Sequence, residues 1–320
     1  MSSLNYSLIF GVTGQDGSLM ASSLLKSSKG VIGVSRSTVP NLNNLNSLKI
    51  SDDIKIVSCD LANLESIINL INRFKPHEIY NLSAQSSVGL SFSKPVETYK
   101  SIINGTTNLL EACRILQYEG NIFFAGSSEI FGDTSIPANV NSKIKAHSPY
   151  GIAKQISFEL VKFYRTIYSL NCKTGILFNH ESPLRSDNFI TQKIIRSALK
   201  ARKNRTYKIN IGNIDIFRDW GWAEEYVSAM QLINNSPKPN DHVICTGVST
   251  SLENFISKVF SKLDLIWQDH IVIDKKLFRP NDIKYSLGDI DPLYKELKWK
   301  AKVTLDQIID NLIEAKSKII

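Results

Sequence analysis

The chain has 320 residues, 42% hydrophobic and 21% charged, a balance typical of a globular protein with a substantial core and not of a disordered or membrane-spanning chain. Its formal charge of +8 suits either a nucleic acid or a phosphate-bearing small ligand, but no zinc finger or ribonucleoprotein motif accompanies it, so we predict no nucleic-acid partner. The four cysteines lie far apart and the start of the chain has no leader-like pattern, so we predict a cytoplasmic protein with neither a disulfide framework nor a metal site.

The first predicted strand, residues 8–10, runs directly into a glycine-rich turn and a helix at residues 18–26. Glycines in this turn permit a tight bend, close approach of a pyrophosphate to backbone amides, and close packing of helix against strand. Because strand, glycines and helix follow in the order of a dinucleotide-binding unit, we predict a dinucleotide site here. Its predicted contacts are Gly11, Thr13, Gly14, Gln15, Asp16 and Gly17.

The second predicted strand, residues 31–34, ends in Ser35, Arg36 and Ser37. Dinucleotide-binding folds that use NAD usually have an acidic residue at this point to bind the ribose hydroxyls, whereas an arginine flanked by hydroxyl groups suits a 2′-phosphate. Arg36 therefore favours NADP over NAD, the alternative being that its side chain simply points into solvent.

Strands and helices continue to alternate, with predicted strands at 54–59, 79–82 and 122–125 and predicted helices at 64–74 and 98–116. This alternation predicts an α/β fold with a doubly wound parallel (Rossmann) sheet, whose ligands lie at the carboxyl ends of the strands. Asp60, Leu61, Leu82 and Ala84 fall at such ends and are predicted cofactor contacts, and Ser86 is predicted to lie near the substrate. We assign residues 1–178 to the NADP-binding domain and 179–320 mainly to a smaller α/β substrate domain, with more than one crossing of the chain allowed.

Residues 126–154 carry the groups that a catalytic site needs. Tyr150 and Lys154 are four residues apart on a predicted helix, so they share one face, and the ammonium can favour ionisation of the phenol. Ser127, Ser128 and Glu129 follow a strand directly and supply hydroxyl groups and a carboxylate for the same substrate. A Tyr-x-x-x-Lys pair alone is most often a surface pair, but beside a dinucleotide motif it predicts a tyrosine base.

These motifs together resemble the extended short-chain dehydrogenase/reductases of the nucleotide-sugar branch. Four later segments, 176–183 (ILFNHESP), 188–194 (NFITQKI), 218–221 (RDWG) and 279–280 (RP), resemble the GDP-mannose 4,6-dehydratase family in particular, and the similarity extends from about residue 8 to residue 303. The resemblance implies a GDP-sugar substrate and a tightly bound NADP that is regenerated in each turnover. It also implies a homo-oligomer, either a dimer formed by the helices at 98–116 and 150–168 or a tetramer; the segment 38–51 is shorter than the family's tetramer-forming loop.

The resemblance further implies a lyase reaction that oxidises C4 of the sugar, eliminates water across C5 and C6, and returns the hydride to C6. Tyr150 would take the proton of the 4-hydroxyl group, and Lys154 would lower the pKa of the tyrosine. Glu129 would remove the C5 proton, a step that a plain 4-reductase or 4-epimerase does not need. Ser127 stands where the family usually has a threonine, which keeps the hydroxyl group.

The substrate contacts implied by the resemblance lie in the second half of the chain. Arg218 and Arg279 would bind the diphosphate, because a guanidinium can bind phosphate oxygens bidentately, while Asn179 and Lys193 would contact the nucleotide. The His-Glu pair after Asn179 is expected to orient a turn, and a helix at 223–234 is expected in the substrate domain with a role in oligomerisation. Three alternatives stay open: a dehydratase of another GDP-sugar such as a GDP-manno-heptose, a 4-reductase of the keto product, and a noncatalytic NADP-binding sensor.

Overall fold

The computed structural model describes residues 6–318. Its strands are β1 (Tyr6–Phe10), β2 (Gly30–Ser35), β3 (Lys55–Ser58), β4 (Glu78–Asn81), β5 (Asn121–Ser127), β6 (Cys172–Leu177), β7 (Asn179–Glu181), β8 (Ile209–Ile211), β9 (Phe217–Trp222), β10 (His242–Ile244), β11 (Ser249–Ser251) and β12 (Ile271–Ile273). Its helices are α1 (Gln15–Lys26), α2 (Asn43–Ser47), α3 (Leu64–Phe74), α4 (Val88–Ser93), α5 (Pro95–Tyr99), α6 (Gly105–Ile115), α7 (Pro149–Tyr168), α8 (Ile190–Lys203), α9 (Ala223–Asn235), α10 (Leu252–Ser261), α11 (Asp291–Leu297) and α12 (Leu305–Ser317).

Seven strands form one parallel sheet in the order β10-β6-β5-β4-β1-β2-β3, which confirms the predicted doubly wound α/β fold. Side chains alternate across it: Ile9 is buried on one face, and Leu8 and Phe10 are buried on the other. Such strands are apolar throughout because helices cover both faces. The direction of strand order reverses between β1 and β4, so a crevice forms at the carboxyl ends of these two strands, where ligands of this fold bind.

One face of the large sheet is covered by α1 and α9, and the other by α3, α6 and α7. The expectation that the helix at 223–234 belongs to the substrate domain is therefore wrong. Tyr226, Met230 and Ile233 of α9 are fully buried in the same core as α1, and the chain then enters β10 of the large sheet. Periodicity shows that such a helix has a buried face but not which layer the face covers. The division into two domains stays a prediction. Any such division must allow the chain to return to the large sheet through α9 and β10.

The predicted helix at 98–116 is interrupted. Its residues form α5, a π-helical turn (Lys100–Asn104) and α6 in direct succession. Ile102 in this turn is buried against Tyr150 and Ala153 of α7. A single π turn within a helix is common near functional sites, because it redirects side chains without ending the helix.

The remaining strands form two small sheets, β11-β9-β7 and β12-β8, which share a core with α8, α10 and α12. Phe178 is the single residue between the end of β6 and the start of β7, so the large sheet leads directly into the smaller one. This short connection positions the Asn-His-Glu strand beside the carboxyl end of the large sheet. Within residues 6–318, no helix is long and apolar enough to span a lipid bilayer.

Candidate active site

The glycine-rich turn between β1 and α1 is shaped for a phosphate group. Gly11 has a positive φ of 82°, and a Cβ atom there would lie 2.8 Å from the carbonyl oxygen of Leu82. A Cβ atom at Gly17 would lie 2.1 Å from the carbonyl oxygen of Gly11, so both positions require glycine. Gly14 caps the start of α1 without a side-chain hydrogen bond, and the first backbone N–H groups of the helix are therefore available to an anion.

Predicted adenosine contacts lie along the ends of β2 and β3. Arg36 follows β2 directly and is exposed. Asp60 follows β3 and accepts a hydrogen bond from the backbone of Ala62 at 3.0 Å, while the half-buried Leu61 accepts one at its carbonyl from the Asn108 side chain at 2.8 Å. On the other side of the turn, the Asn44 side chain donates to the carbonyl of Thr13 at 3.1 Å.

A cavity opens between the ends of β4 and β5, next to α7. The residues that line it include Asn81, Ser83, Ala84, Ala125, Gly126 and Lys154. Nζ of Lys154 donates a hydrogen bond to the carbonyl of Ala125 at 2.7 Å and lies 5.8 Å from the centre of the Tyr150 ring. The structure thus brings the predicted Ala84, Tyr150 and Lys154 to one edge of the sheet.

Tyr150 lies in the first turn of α7, which begins with Pro149 and is capped by Ser148. The Ser148 hydroxyl accepts a hydrogen bond from the backbone N–H of Gly151 at 3.0 Å, an N-cap that fixes where the helix starts. Tyr150 and Lys154 consequently project from successive turns of the same face, and both side chains are buried.

Burial raises the pKa of Tyr150 to about 12, although a hydrogen bond with the Ser127 hydroxyl acts in the opposite direction. Burial also lowers the pKa of Lys154 to about 8, and the carboxylate of Asp16 partly offsets this. The expectation of a Tyr150 pKa that is lowered overall is therefore wrong for this structure. Loss of hydration outweighs the neighbouring charges, so the phenol keeps its proton at neutral pH.

A 3-10 turn (Ser128–Ile130) follows β5 directly and contains Glu129. The Ser127 hydroxyl accepts a hydrogen bond from the backbone N–H of Glu129 at 3.3 Å. Burial raises the pKa of Glu129, the guanidinium groups of Arg218 and Arg279 lower it, and Asp282 raises it further. The predicted catalytic carboxylate and the two predicted phosphate-binding arginines, far apart in sequence, therefore lie in one electrostatic cluster.

The two arginines differ in solvent exposure and in the number of hydrogen bonds that they make. Arg218 is buried and donates to the carbonyls of Phe217 and Ile283, each at 2.8 Å, and to Asp282 at 3.0 Å. Arg279 is exposed and contacts the same carboxylate of Asp282 at 3.5 Å. Asp282 was missed in the sequence, where its only signal is a carboxylate three residues after Arg279.

The strand β7 is joined to the glycine-rich turn by side chains. Nε2 of His180 lies 3.0 Å from both carboxylate oxygens of Asp16, and the hydroxyl of Ser182 donates to the Gln15 side chain at 2.9 Å. Burial would raise the pKa of Asp16, but His180 and Gln15 lower it to about 2. The expectation that the His-Glu pair orients a turn missed this contact, because the two residues are 164 positions apart.

Arg185 is a further residue that sequence reasoning missed. Its guanidinium donates to the carbonyl of His180 and lies 4.0 Å from the centre of the Phe189 ring. Its positive charge lowers the pKa of both Asp16 and Tyr150. The available signal was an arginine two residues after the proline of the Glu-Ser-Pro segment.

The other predicted substrate contacts lie at the edges of this region. Asn179 is half-buried at the start of β7, opposite Trp220 of β9. Ser86 is exposed in the loop before α4, and Lys193 is exposed on α8. Neither of these last two is among the groups that shift the pKa of Glu129.

Comparison with known proteins agrees with this geometry. The family model for GDP-mannose 4,6 dehydratase matches residues 8–312. GDP-mannose 4,6 dehydratase 1 of Arabidopsis thaliana is 36% identical over 318 residues, covering 96% of this chain and 88% of the relative, and the GDP-mannose 4,6 dehydratase of Homo sapiens is 35% identical over 338 residues, covering 97% and 91%. In fold, the crystal structure of dTDP-glucose 4,6-dehydratase from Bacillus anthracis in complex with NAD superposes with a TM-score of 0.85 at 18% identity, covering 98% of this chain and 97% of that chain. The chain therefore belongs to the GDP-mannose 4,6-dehydratase family.

Proposed function

We propose that this protein is an NADP-dependent GDP-mannose 4,6-dehydratase, which forms GDP-4-keto-6-deoxy-mannose. The observation that carries the proposal is the position of Glu129, half-buried just after β5, beside Tyr150 and in the field of Arg218 and Arg279. Elimination of water needs a carboxylate at this point, whereas a 4-reductase or 4-epimerase needs only the tyrosine and lysine. The relatives named as GDP-mannose 4,6-dehydratases support the same choice over the alternative GDP-sugars and the reductase.

The residues at the sheet edge fit a dinucleotide. The two glycines that cannot accept a Cβ atom leave room for a pyrophosphate at the start of α1, Lys154 borders the cavity between β4 and β5, and Arg36 lies at the end of β2, where a 2′-phosphate would be bound. When bound, NADP supplies the hydride acceptor for C4 of the sugar and the hydride donor for C6.

Tyr150 is the group that takes the proton of the 4-hydroxyl. Because the pKa of Tyr150 is high, its phenolate is a strong base, but the phenol must first lose its own proton, and that loss needs a stabilising neighbour. The Ser127 hydroxyl, which hydrogen-bonds the phenol, and the ammonium of Lys154, 5.8 Å from the ring centre, both stabilise the phenolate.

Glu129 then takes the proton from C5, which is acidic because it lies next to the C4 ketone. The bond between C6 and its hydroxyl oxygen breaks, and the proton held by Glu129 goes to the departing hydroxide to give water. After hydride has returned to C6, a proton goes to C5 and restores the 4-ketone. The proton that Tyr150 took from the 4-hydroxyl supplies the balance. A carboxylate whose pKa is raised by burial suits both transfers, because it binds the proton more tightly than an exposed glutamate does. We assign the diphosphate to Arg218 and Arg279, the nucleotide to Asn179 and Lys193, and the sugar hydroxyls to Ser86 and Ser128.

The proposal is tested with purified protein, GDP-mannose and a catalytic amount of NADP, by following product mass. The wild type should convert the substrate to a product lighter by one water without net formation of NADPH. Glu129→Gln should bind NADP normally and lose dehydration by about 100-fold or more. Glu97→Gln, which removes an exposed ion-paired carboxylate on α5, is the matched control and should keep full activity. Full turnover of Glu129→Gln would overturn the mechanism, and dehydration of a GDP-manno-heptose in place of GDP-mannose would change the substrate.

The choice of NADP over NAD depends on Arg36. Arg36→Ala should weaken NADP binding by about tenfold or more, the loss expected for one charge-assisted contact, and leave NAD binding unchanged. Arg202→Ala, on the exposed end of α8, should change neither. Equal affinity of the wild type for the two dinucleotides would overturn the proposed preference for NADP.

We further propose that two copies associate through α7 and its neighbours. Apolar side chains at spacings of four, seven and four residues form one exposed stripe along α7, namely Ile152 (40% exposed), Ile156 (40%), Phe163 (49%) and Ile167 (59%). An apolar stripe at helical spacing on an otherwise charged surface is typical of a helix packed against another copy. Ile156→Asp should shift the protein to a monomer in light scattering after size exclusion, whereas Ile136→Asp, 80% exposed elsewhere, should not. A wild-type tetramer would require a second interface.

A cytoplasmic location is also proposed. Its support is that all four cysteines are free and buried, which suits a reducing compartment. Fractionation of cells that produce the protein should recover it with cytoplasmic markers.

A further inference from the structure

The imidazole of His180 lies between two hydrogen-bond acceptors. Nδ1 is 2.7 Å from the carbonyl oxygen of Phe178, and Nε2 is 3.0 Å from each carboxylate oxygen of Asp16. A carbonyl and an ionised carboxylate can only accept, while a neutral imidazole has a single N–H group. A neutral ring would therefore set a nitrogen lone pair against an oxygen on one side, whereas a doubly protonated ring satisfies both contacts.

The alternative arrangement, with the proton on the carboxylate, is disfavoured by the surroundings. Burial acts to raise the pKa of Asp16, but His180 itself, then Gln15 and Arg185, lower it to about 2, so the carboxylate is ionised at neutral pH. His180 is only 7% exposed, and its ring stacks on that of Tyr226 at a centroid distance of 4.6 Å. Arg185 also acts on Asp16, and Asp16 acts in turn on Tyr150 and Lys154. Glu181, the residue after His180, pairs with Arg185 at 3.5 Å.

We propose that His180 carries both ring protons at neutral pH, and that its ion pair with Asp16 is a positioning element that fixes the glycine-rich turn against β7 and compensates the carboxylate charge beside Tyr150. This pair is a buried imidazolium and carboxylate. It acts on the chemistry through the cofactor turn and the tyrosine, not by contact with the reacting atoms.

The positioning role follows from how few side chains hold the start of α1. Gln15 donates to the carbonyl of His180 at 3.3 Å and accepts from Ser182 at 2.9 Å, and the ion pair of Asp16 is the third link to the same strand. All three join the turn that cradles the pyrophosphate to the strand that begins at Asn179. These contacts therefore fix the position of the glycine-rich turn relative to β7.

The electrostatic role follows from where Asp16 lies. A carboxylate in the first turn of a helix interacts favourably with the helix dipole, but it repels a second anion at the same helix end. It also raises the pKa of Tyr150, which opposes ionisation of the base. The positive charge of His180 reduces both effects.

The protonation state is tested by nitrogen-15 NMR of histidine-labelled protein near pH 7.5. His180 should give the signature of a ring with protons on both nitrogens. His270 is a matched control in the same chain, because it is also buried, its Nδ1 lies 2.8 Å from the carbonyl of Tyr207, and no carboxylate in residues 6–318 lies within ion-pair distance of its ring. Its spectrum should differ from that of His180 and is the reference for a buried ring with one acceptor contact. A neutral ring at His180 would overturn the proposal.

The charge effect is tested by NADP titration of two variants, which needs no sugar substrate and therefore stands or falls separately from the proposed dehydratase activity. His180→Gln leaves Asp16 uncompensated and should weaken NADP binding by about tenfold or more. The double variant Asp16→Asn with His180→Gln removes the unpaired charge and should recover part of that loss. A merely structural role predicts that the double variant binds no better than the single one, and that result would also overturn the proposal.

The same two variants should differ in pH dependence of turnover. In His180→Gln, the uncompensated Asp16 charge should raise the pKa of Lys154 and move the alkaline limb that Lys154 sets to higher pH, and the double variant should move it back. An alkaline limb that stays in place in both variants, with only its height changed, would assign His180 to packing alone.

Discussion

The ammonium of Lys154 donates a hydrogen bond to the backbone carbonyl of Ala125, with 2.7 Å between the two atoms. This contact joins α7 to the carboxyl end of β5, the strand that leads into Glu129. The charge of the site depends on the same lysine. Burial lowers the pKa of Lys154 to about 8, so its ammonium loses a proton as the pH rises through that value.

Lys154→Met should reduce turnover by about 100-fold or more, since it removes the charge that stabilises the Tyr150 phenolate. In the wild type, turnover should fall as the pH rises above about 8, where Lys154 becomes neutral. Steady-state rates between pH 6 and 10 measure both effects. Lys173→Met removes a second buried lysine, whose ammonium donates to the carbonyls of Asn234 and Ser236 and whose pKa is also lowered to about 8, and it should keep turnover near the wild-type level.

Asp282→Asn should move the acid limb of the pH–rate profile to lower pH. Asp282 raises the pKa of Glu129 and also pairs with the two arginines that lower it, so neutralising Asp282 leaves Glu129 facing two less compensated positive charges. The limb is read from turnover of GDP-mannose at saturating substrate. Asp215→Asn, which removes an exposed carboxylate paired with Lys284, is the control and should leave the limb unchanged. A shift to higher pH for Asp282→Asn would contradict the charge arrangement.

Lys173 makes stability depend on pH. Its ammonium donates to the carbonyls of Asn234 and Ser236 at 2.6 and 2.8 Å, at the end of α9, and burial lowers its pKa from 10.5 to about 8 in the folded chain. Between these two values the unfolded chain binds a proton that the folded chain does not, so the free energy of unfolding should rise with pH over that range. Thermal unfolding of the wild type should therefore gain more between pH 7 and pH 9.5 than unfolding of Lys173→Met. Equal gains for the two proteins would contradict this assignment.

Gly17→Ala should lower the free energy of unfolding by about 1–3 kcal/mol, because its Cβ atom would lie 2.1 Å from the carbonyl oxygen of Gly11 and push α1 away from β1. NADP binding should weaken with it, since the pyrophosphate cradle is formed by the same turn. Gly89→Ala on α4 has its nearest neighbour at 3.9 Å and should be neutral or stabilising by up to about 1 kcal/mol. Urea unfolding and cofactor titration compare the two variants, and equal stability of both would show that the turn can adjust.

Much of the fold could be predicted because it depends on local pattern. The strand, glycines and helix at 8–26 follow each other within a few residues, and the four-residue spacing of Tyr150 and Lys154 is set by helix geometry alone. The carboxyl ends of parallel strands meet at one edge, so Ala84 and Glu129 could be assigned to one site without knowing any contact between them.

The sequence by itself determined the order of elements, the doubly wound sheet and the residue types at its ligand-binding edge, because these follow from periodicity and spacing over short stretches. Only the tertiary structure decided that α9 covers the large sheet, that His180 meets Asp16, and that Asp282 joins the two arginines near Glu129. These contacts connect residues far apart in the chain, and a local sequence pattern does not show which distant residues come into contact. The direction of the pKa of Tyr150 was likewise decided by packing, because the loss of water around a side chain depends on every element that covers it.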